Sequence, residues 1–78
     1  MGKKFDSELG KVFQDIRKSH EMSQQYVADR LHVSRSGLAS WEQGRRGLSA
    51  DDFFKLCEFY NVDPNEVAEK VKKYLYSK

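Results

Sequence analysis

Apolar residues recur every three or four positions along most of this chain, and no segment alternates apolar and polar residues as a half-buried strand does. The spacing predicts five helices and an all-α fold. The first helix is predicted to begin near Asp6 or Ser7, and one stripe of it contains Leu9, Val12, Phe13, Ile16 and, at the helix end, His20. Residues 1–5 precede this stripe and start with a basic segment, so we expect a flexible N-terminus.

Two short amphipathic helices joined by a tight corner are predicted across residues 24–43. Ser23 and Ser34 are suitable N-caps, because a serine hydroxyl accepts a hydrogen bond from a free amide of the first helical turn. At about 100° per residue, the second helix turns Leu38 and Trp41 to one side, where they need a core. The other side is short and polar, which suits a helix that enters a groove: Arg35, Ser36, Ala39, Ser40 and Gln43.

Two further helices complete the pattern. Ser49 is the predicted N-cap of the fourth, and the adjacent Asp51 and Asp52 complement its dipole, so they need no acid–base or metal role. The fifth helix is predicted over residues 63–76, where an aspartate is followed by a proline. The end of its apolar stripe either folds back on the first helix or, as we expect, forms a dimer interface: Val71, Tyr74 and Leu75.

With 78 residues and 38% hydrophobic content, the chain is expected to form one domain, residues 1–78. A domain of this size has little room for a catalytic cavity, and neither a nucleophile–base pair nor a phosphate-binding loop is visible, so no enzyme is expected. His20, His32 and Cys57 lack the spacing of a metal site, and we expect no metal and no cofactor. The single cysteine and the absence of a long apolar run favour a cytoplasmic protein without a membrane partner.

The formal net charge of +2 conceals an uneven distribution. Residues 30–46 contain four arginines and one acid, Glu42, whereas residues 47–69 contain six acids and one lysine. We therefore expect a basic face and an acidic face. Such a distribution orients a protein on a nucleic acid better than its net charge suggests.

The segment SQQYVADRLHVSRSGLASWEQG resembles the helix-turn-helix of the lambda-repressor-like family, which includes the Cro-type and xenobiotic-response-element (XRE) type regulators. The resemblance extends from about Leu9 to Val67. It implies a five-helix domain in which the second of the two central helices lies in the major groove of double-stranded DNA. His32 stands at the corner where the family often has Gly, so we expect a left-handed backbone there. Gly37 and Leu48 are the other departures from the family pattern.

The place of each polar residue in this motif gives it an expected role. Arg35 is the main candidate for base reading, because its guanidinium can bond guanine O6 and N7 together. The other predicted base readers are Ser36, Ala39, Ser40 and Gln43. The predicted phosphate contacts are Gln24, Ser34, Arg45 and Arg46. The resemblance also implies a structural ion pair between Arg17 and Glu42, which would neutralise an acid next to DNA.

The expected function is sequence-specific DNA binding in transcription regulation, as a repressor and as a homodimer on an inverted repeat. This expectation rests on the family resemblance. The chain has no room for a separate effector domain, so we expect a regulatory signal to act through a protein partner, through assembly or through the amount of protein made. The alternative is a protein-binding module, such as an antitoxin or adaptor, with an aromatic interface: Phe54, Phe59 and Tyr74.

Overall fold

The computed structural model describes residues 3–76, and within this range the chain forms five helices and no strand. The predicted all-α, five-helix fold is therefore confirmed. The helices are α1 (Lys3–Ser19), α2 (Gln24–Leu31), α3 (Arg35–Gln43), α4 (Ala50–Tyr60) and α5 (Pro64–Tyr76). The pair predicted over residues 24–43 corresponds to α2 and α3.

Serine hydroxyls cap the starts of α2, α3 and α4. Each accepts a hydrogen bond from the amide three residues later, at 3.0 Å for Ser23, 2.9 Å for Ser34 and 3.1 Å for Ser49. An amide in the first turn has no partner within its own helix, and a cap of this kind supplies one. The three starts therefore follow directly from the positions of serine in the sequence.

The same three helices end on residues with left-handed backbone, His32 (φ 60°), Gly44 (φ 76°) and Asn61 (φ 57°). In each case the amide of the end residue donates to carbonyls of the last turn, which closes the helix. His32 adopts the conformation expected where relatives have Gly. Its left-handed backbone ends α2 two residues before Ser34, the cap of α3.

The start of α1 differs from the prediction. The helix begins at Lys3, a full turn before Ser7, and Phe5 is partly buried against the core. Burial of this ring offsets the conformational entropy lost when the first turn is ordered. The predicted helix start near Asp6 or Ser7 is thus moved to Lys3. The flexibility expected for residues 1–5 stays a prediction, and Met1 and Gly2 lie outside the described residues.

The core is built around α1, which packs against α3, α5 and α4. Phe13 lies at its centre, with its ring 5.9 Å from that of Phe53 and 6.3 Å from that of Tyr60. The buried hydrophobic residues are Leu9, Val12, Phe13, Ile16, Val27, Ala28, Leu38, Trp41, Leu56, Cys57, Tyr60, Val67 and Val71. No helix within residues 3–76 is long and apolar enough to cross a membrane.

The apolar stripe of α5 folds back onto α1 within the chain, and its use as a dimer interface stays a prediction. Val71 is only 2% exposed, and Leu75 is partly buried against the same core. The apolar area that would drive association with a second subunit is thus already removed from water within one chain. Tyr74 is the exception, since 42% of it is exposed and its ring lies 5.7 Å from the ammonium of Lys11.

The end of α3 approaches α1 so closely that the backbones touch. A Cβ atom on Gly10 would overlap the carbonyl oxygen of Trp41 and lie 2.5 Å from that of Glu42. A Cβ atom on Gly44 would lie 2.5 Å from the Cα atom of Ser7. The clashing atoms belong to the backbone, so they can move only if a helix moves.

We predict that Gly10→Ala lowers the free energy of unfolding by about 1–3 kcal/mol, because the added methyl group forces α1 away from α3. Helix propensity alone would raise the free energy of unfolding of this variant, since Ala is better than Gly inside a helix by about 1 kcal/mol. Urea denaturation followed by circular dichroism decides between the two effects. Lys18→Ala, on the exposed side of the same helix, is the control, and a stabilised Gly10→Ala variant would contradict the close approach.

Candidate nucleic-acid interface

All five residues predicted to read bases lie on the face of α3 opposite Leu38 and Trp41. Those two side chains are 1% and 5% exposed and fix the helix in the core. On the outer face, Arg35, Ser36 and Gln43 are exposed, and Ala39 and Ser40 are half-buried. With one side held by the core, the other side forms a narrow polar surface without a large apolar group.

Ser34 lies at the start of this surface and has two functions in the structure. Its Oγ accepts the amide hydrogen of Gly37 at 2.9 Å, and it lies 3.3 Å from the Oγ of Ser36. The cap uses Oγ as an acceptor, so the hydroxyl hydrogen is available to Ser36 or to an acceptor outside the protein. A phosphate oxygen is such an acceptor.

Arg17 and Glu42 form the ion pair that the family resemblance implies. The Nε of Arg17 donates to Oε2 of Glu42 at 2.7 Å, and its Nη2 donates to Oε1 at 3.1 Å, so the contact is bidentate. The remaining Nη1 donates to the carbonyl oxygen of Met22 at 2.8 Å. Both side chains are buried, with 8% and 1% of their areas exposed. One guanidinium therefore joins α1, the loop before α2, and the last turn of α3.

Gln24 belongs to the same network, which the sequence did not predict. Its Nε2 donates to Oε1 of Glu42 at 2.9 Å, so one of its two amide hydrogens is used inside the protein. The side-chain amide is therefore held by Glu42 instead of extending freely toward a phosphate. The role of Gln24 as a phosphate contact stays a prediction, and the backbone amides of the first turn of α2 remain its other route to an anion.

The network changes the electrostatics of the whole face. By accepting hydrogen bonds from Arg17, the Glu42 carboxylate raises the pKa of the guanidinium, although burial lowers it. Arg17 therefore remains charged and compensates the only acid between residues 30 and 46. The four arginines of that segment then dominate the potential around α3.

Arg45 and Arg46 follow α3 and are both exposed. Their backbone amides donate to the carbonyl oxygen of Ser40 at 3.0 and 3.4 Å, which holds the turn after Gly44 against the helix. The two side chains differ in their surroundings. The guanidinium carbon of Arg46 lies 4.9 Å from the centroid of the Trp41 ring, a cation–π contact that the sequence analysis missed.

A second cation–π contact was also missed, on the exposed side of α2. The guanidinium of Arg30 lies 5.3 Å from the ring centroid of Tyr26, four residues earlier and thus one turn away. This helical spacing is a signal that could have revealed the pair. By contrast, Gln24 and Glu42 are 18 positions apart and no local pattern connects them.

The titratable groups of the core favour no chemistry of their own. Burial raises the pKa of the Cys57 thiol, so little reactive thiolate forms. Burial, assisted by the nearby Glu42 carboxylate, also raises the pKa of Tyr60 well above its ordinary value. No group of three His, Cys, Asp or Glu residues in the described part of the chain is arranged to hold a metal ion.

A sequence profile of the helix-turn-helix family matches residues 13–67. The HTH-type transcriptional activator BcrR of Enterococcus faecalis is 25% identical over 60 residues, which are 77% of this chain and 29% of BcrR. The antitoxin PezA of Streptococcus pneumoniae serotype 4 is 30% identical over 54 residues, which are 69% of this chain and 34% of PezA. The chain thus spans about a third of the length of these two relatives.

A solved structure shares the whole fold. The clp gene regulator ClgR from C. glutamicum matches with a TM-score of 0.87 over 95% of this chain and 96% of that chain, at 18% identity. At this level of identity, the likeness concerns the fold alone.

The five helices and the exposed outer face of α3 define a helix-turn-helix domain. The family profile covers more than half of the chain. The chain belongs to the lambda-repressor-like helix-turn-helix family, of the XRE type. This is a family of DNA-binding transcriptional regulators and not of enzymes.

We predict that Glu42→Ala lowers the free energy of unfolding by about 3–5 kcal/mol, because the charge of Arg17 is then buried without a partner. The double variant Arg17→Met/Glu42→Leu should be more stable than this single variant, since it removes both charges. Urea denaturation measures each difference, and Glu69→Ala, an exposed acid on α5, is the control. A loss below about 1 kcal/mol for Glu42→Ala would mean that the pair behaves as an exposed surface pair.

Proposed function

We propose that the protein is a cytoplasmic, sequence-specific regulator of transcription that binds double-stranded DNA. The observation that carries the proposal is the outer face of α3. It is polar and narrow, exposed arginines lie on and after α3, and the one acid of this helix, Glu42, is buried against Arg17. A helix with these properties fits the major groove, where both charge and hydrogen-bond donors are needed.

In this proposal, two sets of residues divide the work of DNA binding. Arg45, Arg46, Ser34 and Gln24 contact phosphates and fix the orientation of the domain. Arg35 reads a guanine, with Ser36, Ala39, Ser40 and Gln43 along the same helix face. The small side chains allow α3 to lie deep in the groove, and the methyl group of Ala39 suits contact with a thymine methyl.

We further propose that the protein acts as a homodimer and as a repressor. Two-fold proteins with this motif read half-sites about 34 Å apart, and linking two modules on one DNA raises the overall affinity. Because Val71 and Leu75 are occupied within the chain, Tyr74 is the one predicted interface residue with a large exposed area. Repression needs only that bound protein blocks access to a promoter.

A second candidate function is that of a protein-binding module. It is supported by the similarity to the antitoxin PezA and by exposed aromatic residues on α4 and α5. Phe54 is 56% exposed and Tyr74 is 42% exposed, whereas Phe59 packs partly against the core. An antitoxin or adaptor would use this surface, which carries none of the predicted DNA contacts.

The proposal predicts that selection from a random duplex pool enriches a motif of two inverted half-sites. Arg35→Ala should still bind DNA but lose one guanine preference in each half-site, because a bidentate arginine–guanine contact contributes about 1–3 kcal/mol of discrimination. Sequencing of the bound pools from both proteins measures the effect.

Phe54→Ala is the control for this selection, because the residue lies on α4, away from α3, and should leave the motif unchanged. Enrichment of no sequence by the wild type would reject the specific regulator and favour the protein-binding module. A single half-site would reject the homodimer alone. A promoter reporter carrying the selected motif separates repression from activation.

Phosphate contacts make a second prediction, which concerns salt. Arg45→Ala should weaken binding to all duplexes alike and reduce the slope of log affinity against log salt by about one unit. Lys55→Ala removes the same charge from α4, on the acidic part of the chain, and should leave the slope unchanged. Binding titrations at several salt concentrations test both variants. A wild-type affinity that does not depend on salt would contradict the proposed phosphate contacts.

A further inference from the structure

The guanidinium of Arg46 lies over the ring of Trp41 and beside Gly37. These two residues form a surface that holds the guanidinium, the Arg46 seat. We propose that Trp41 and Gly37 together position this guanidinium for its contact with a DNA phosphate. The inference rests on the proposed function, in which Arg46 binds phosphate. It adds that α3 itself contains the device that holds the arginine in place.

The turn after α3 brings Arg46 back along the helix. Gly44 has a left-handed backbone (φ 76°), and its amide donates to the carbonyl oxygen of Trp41 at 3.2 Å. The amides of Arg45 and Arg46 then both point at the carbonyl oxygen of Ser40. The chain reverses its direction at this point, so the side chain of Arg46 runs toward the beginning of α3.

The ring of Trp41 forms the floor of the seat. It is 5% exposed, and the guanidinium carbon of Arg46 lies over it at 4.9 Å from the ring centroid. The indole N–H has no hydrogen-bond partner within residues 3–76, so packing holds the ring in position. An arginine on an aromatic face keeps its N–H donors directed outward in one plane, where they can bond a phosphate.

Gly37 leaves space for the guanidinium of Arg46 beside α3. It lies four residues before Trp41, on the same strip of α3, and a Cβ atom there would come within 3.7 and 3.8 Å of the two terminal nitrogens of Arg46. The same Cβ atom would lie 3.0 Å from the Oγ of Ser34. A residue with a longer side chain would occupy the place of the guanidinium. The glycine inside α3 thus has a role that offsets its poor helix propensity.

The position of the seat explains its use. The guanidinium lies near the start of α3, since a Cβ atom on Gly37 would lie 3.0 Å from the Oγ of the capping Ser34 and 3.7 Å from a terminal nitrogen of Arg46. An arginine fixed there loses less side-chain freedom on binding than a freely moving one. Arg45 has the same charge and nearly the same place in the chain but no seat, so the two residues can be compared directly.

Trp41 is the only tryptophan in the chain, and its fluorescence reports on the seat without DNA. The experiment compares Gly37→Leu, which fills the seat and keeps the charge, with Arg46→Ala, Arg46→Lys and Arg45→Ala. Trp41 emission is recorded for each folded protein, and affinity for a random-sequence duplex is titrated against salt. Circular dichroism verifies that each variant keeps its helices.

Gly37→Leu and Arg46→Ala should change the emission in the same direction, whereas Arg45→Ala should leave it as in the wild type. Gly37→Leu should weaken DNA binding by about two- to fivefold, the equivalent of an exposed cation–π contact, although every arginine is retained. Arg46→Lys should weaken binding at an unchanged salt slope. Arg46→Ala should reduce the slope by about one unit.

Two results would contradict the proposed positioning of Arg46. The first is an Arg46→Ala variant with unchanged Trp41 emission, and the second is wild-type DNA affinity in both Gly37→Leu and Arg46→Lys. If Gly37→Leu does not fold, the DNA affinity of Arg46→Lys alone tests whether the guanidinium must be positioned. Failure of the wild type to bind any duplex overturns the proposed function and, with it, the phosphate contact. In that case the emission still tells whether the ring holds Arg46, so the two failures are distinguishable.

Discussion

The ion pair between Arg17 and Glu42 is the interaction on which the interface depends. Its carboxylate accepts hydrogen bonds from Arg17 of α1 and from Gln24 of α2, and it belongs to the last turn of α3. Three helices therefore meet at one buried charge pair. Such a pair contributes less through its net energy than through its geometry, because each partner is tolerated in the core only when the other is in place. The pair therefore links α1 and α2 to the last turn of α3.

The same pair also resolves an electrostatic conflict. Glu42 is an acid on the helix that faces the DNA in our proposal, and an uncompensated carboxylate would repel phosphates. Burying it against Arg17 removes that repulsion and leaves the arginines after α3 to set the local potential. One contact therefore supports the fold and shapes the field of the binding face. In the proposed function, this double role accounts for a charged pair at a place that two apolar residues could fill.

Local sequence rules predicted most of the fold, and the errors concern features that depend on how the helices pack against each other. The serine caps and the two faces of α3 follow from short-range chemistry, so they could be read from the sequence. The start of α1 could not, because it depends on whether Phe5 finds a core. The stripe containing Val71 has the same pattern whether it meets α1 or a second subunit, so its burial against α1 could not be read from the spacing alone. The contact of Gln24 with Glu42 has no sequence signal, since the two residues meet only after α2 and α3 pack.

The two ends of α3 have different tasks, and the division follows from backbone contacts. At its last turn, Gly10 allows α1 to touch the carbonyl of Trp41, and Gly44 turns the chain back along the helix. This end cannot shift without disturbing the core. The beginning of α3, with Arg35, is exposed and carries the donors. A reading surface anchored at one end presents its side chains with little motion of the backbone, which lowers the entropy lost on binding. In the proposed function, specificity therefore depends on the rigidity of the anchored end as much as on the residues proposed to touch bases.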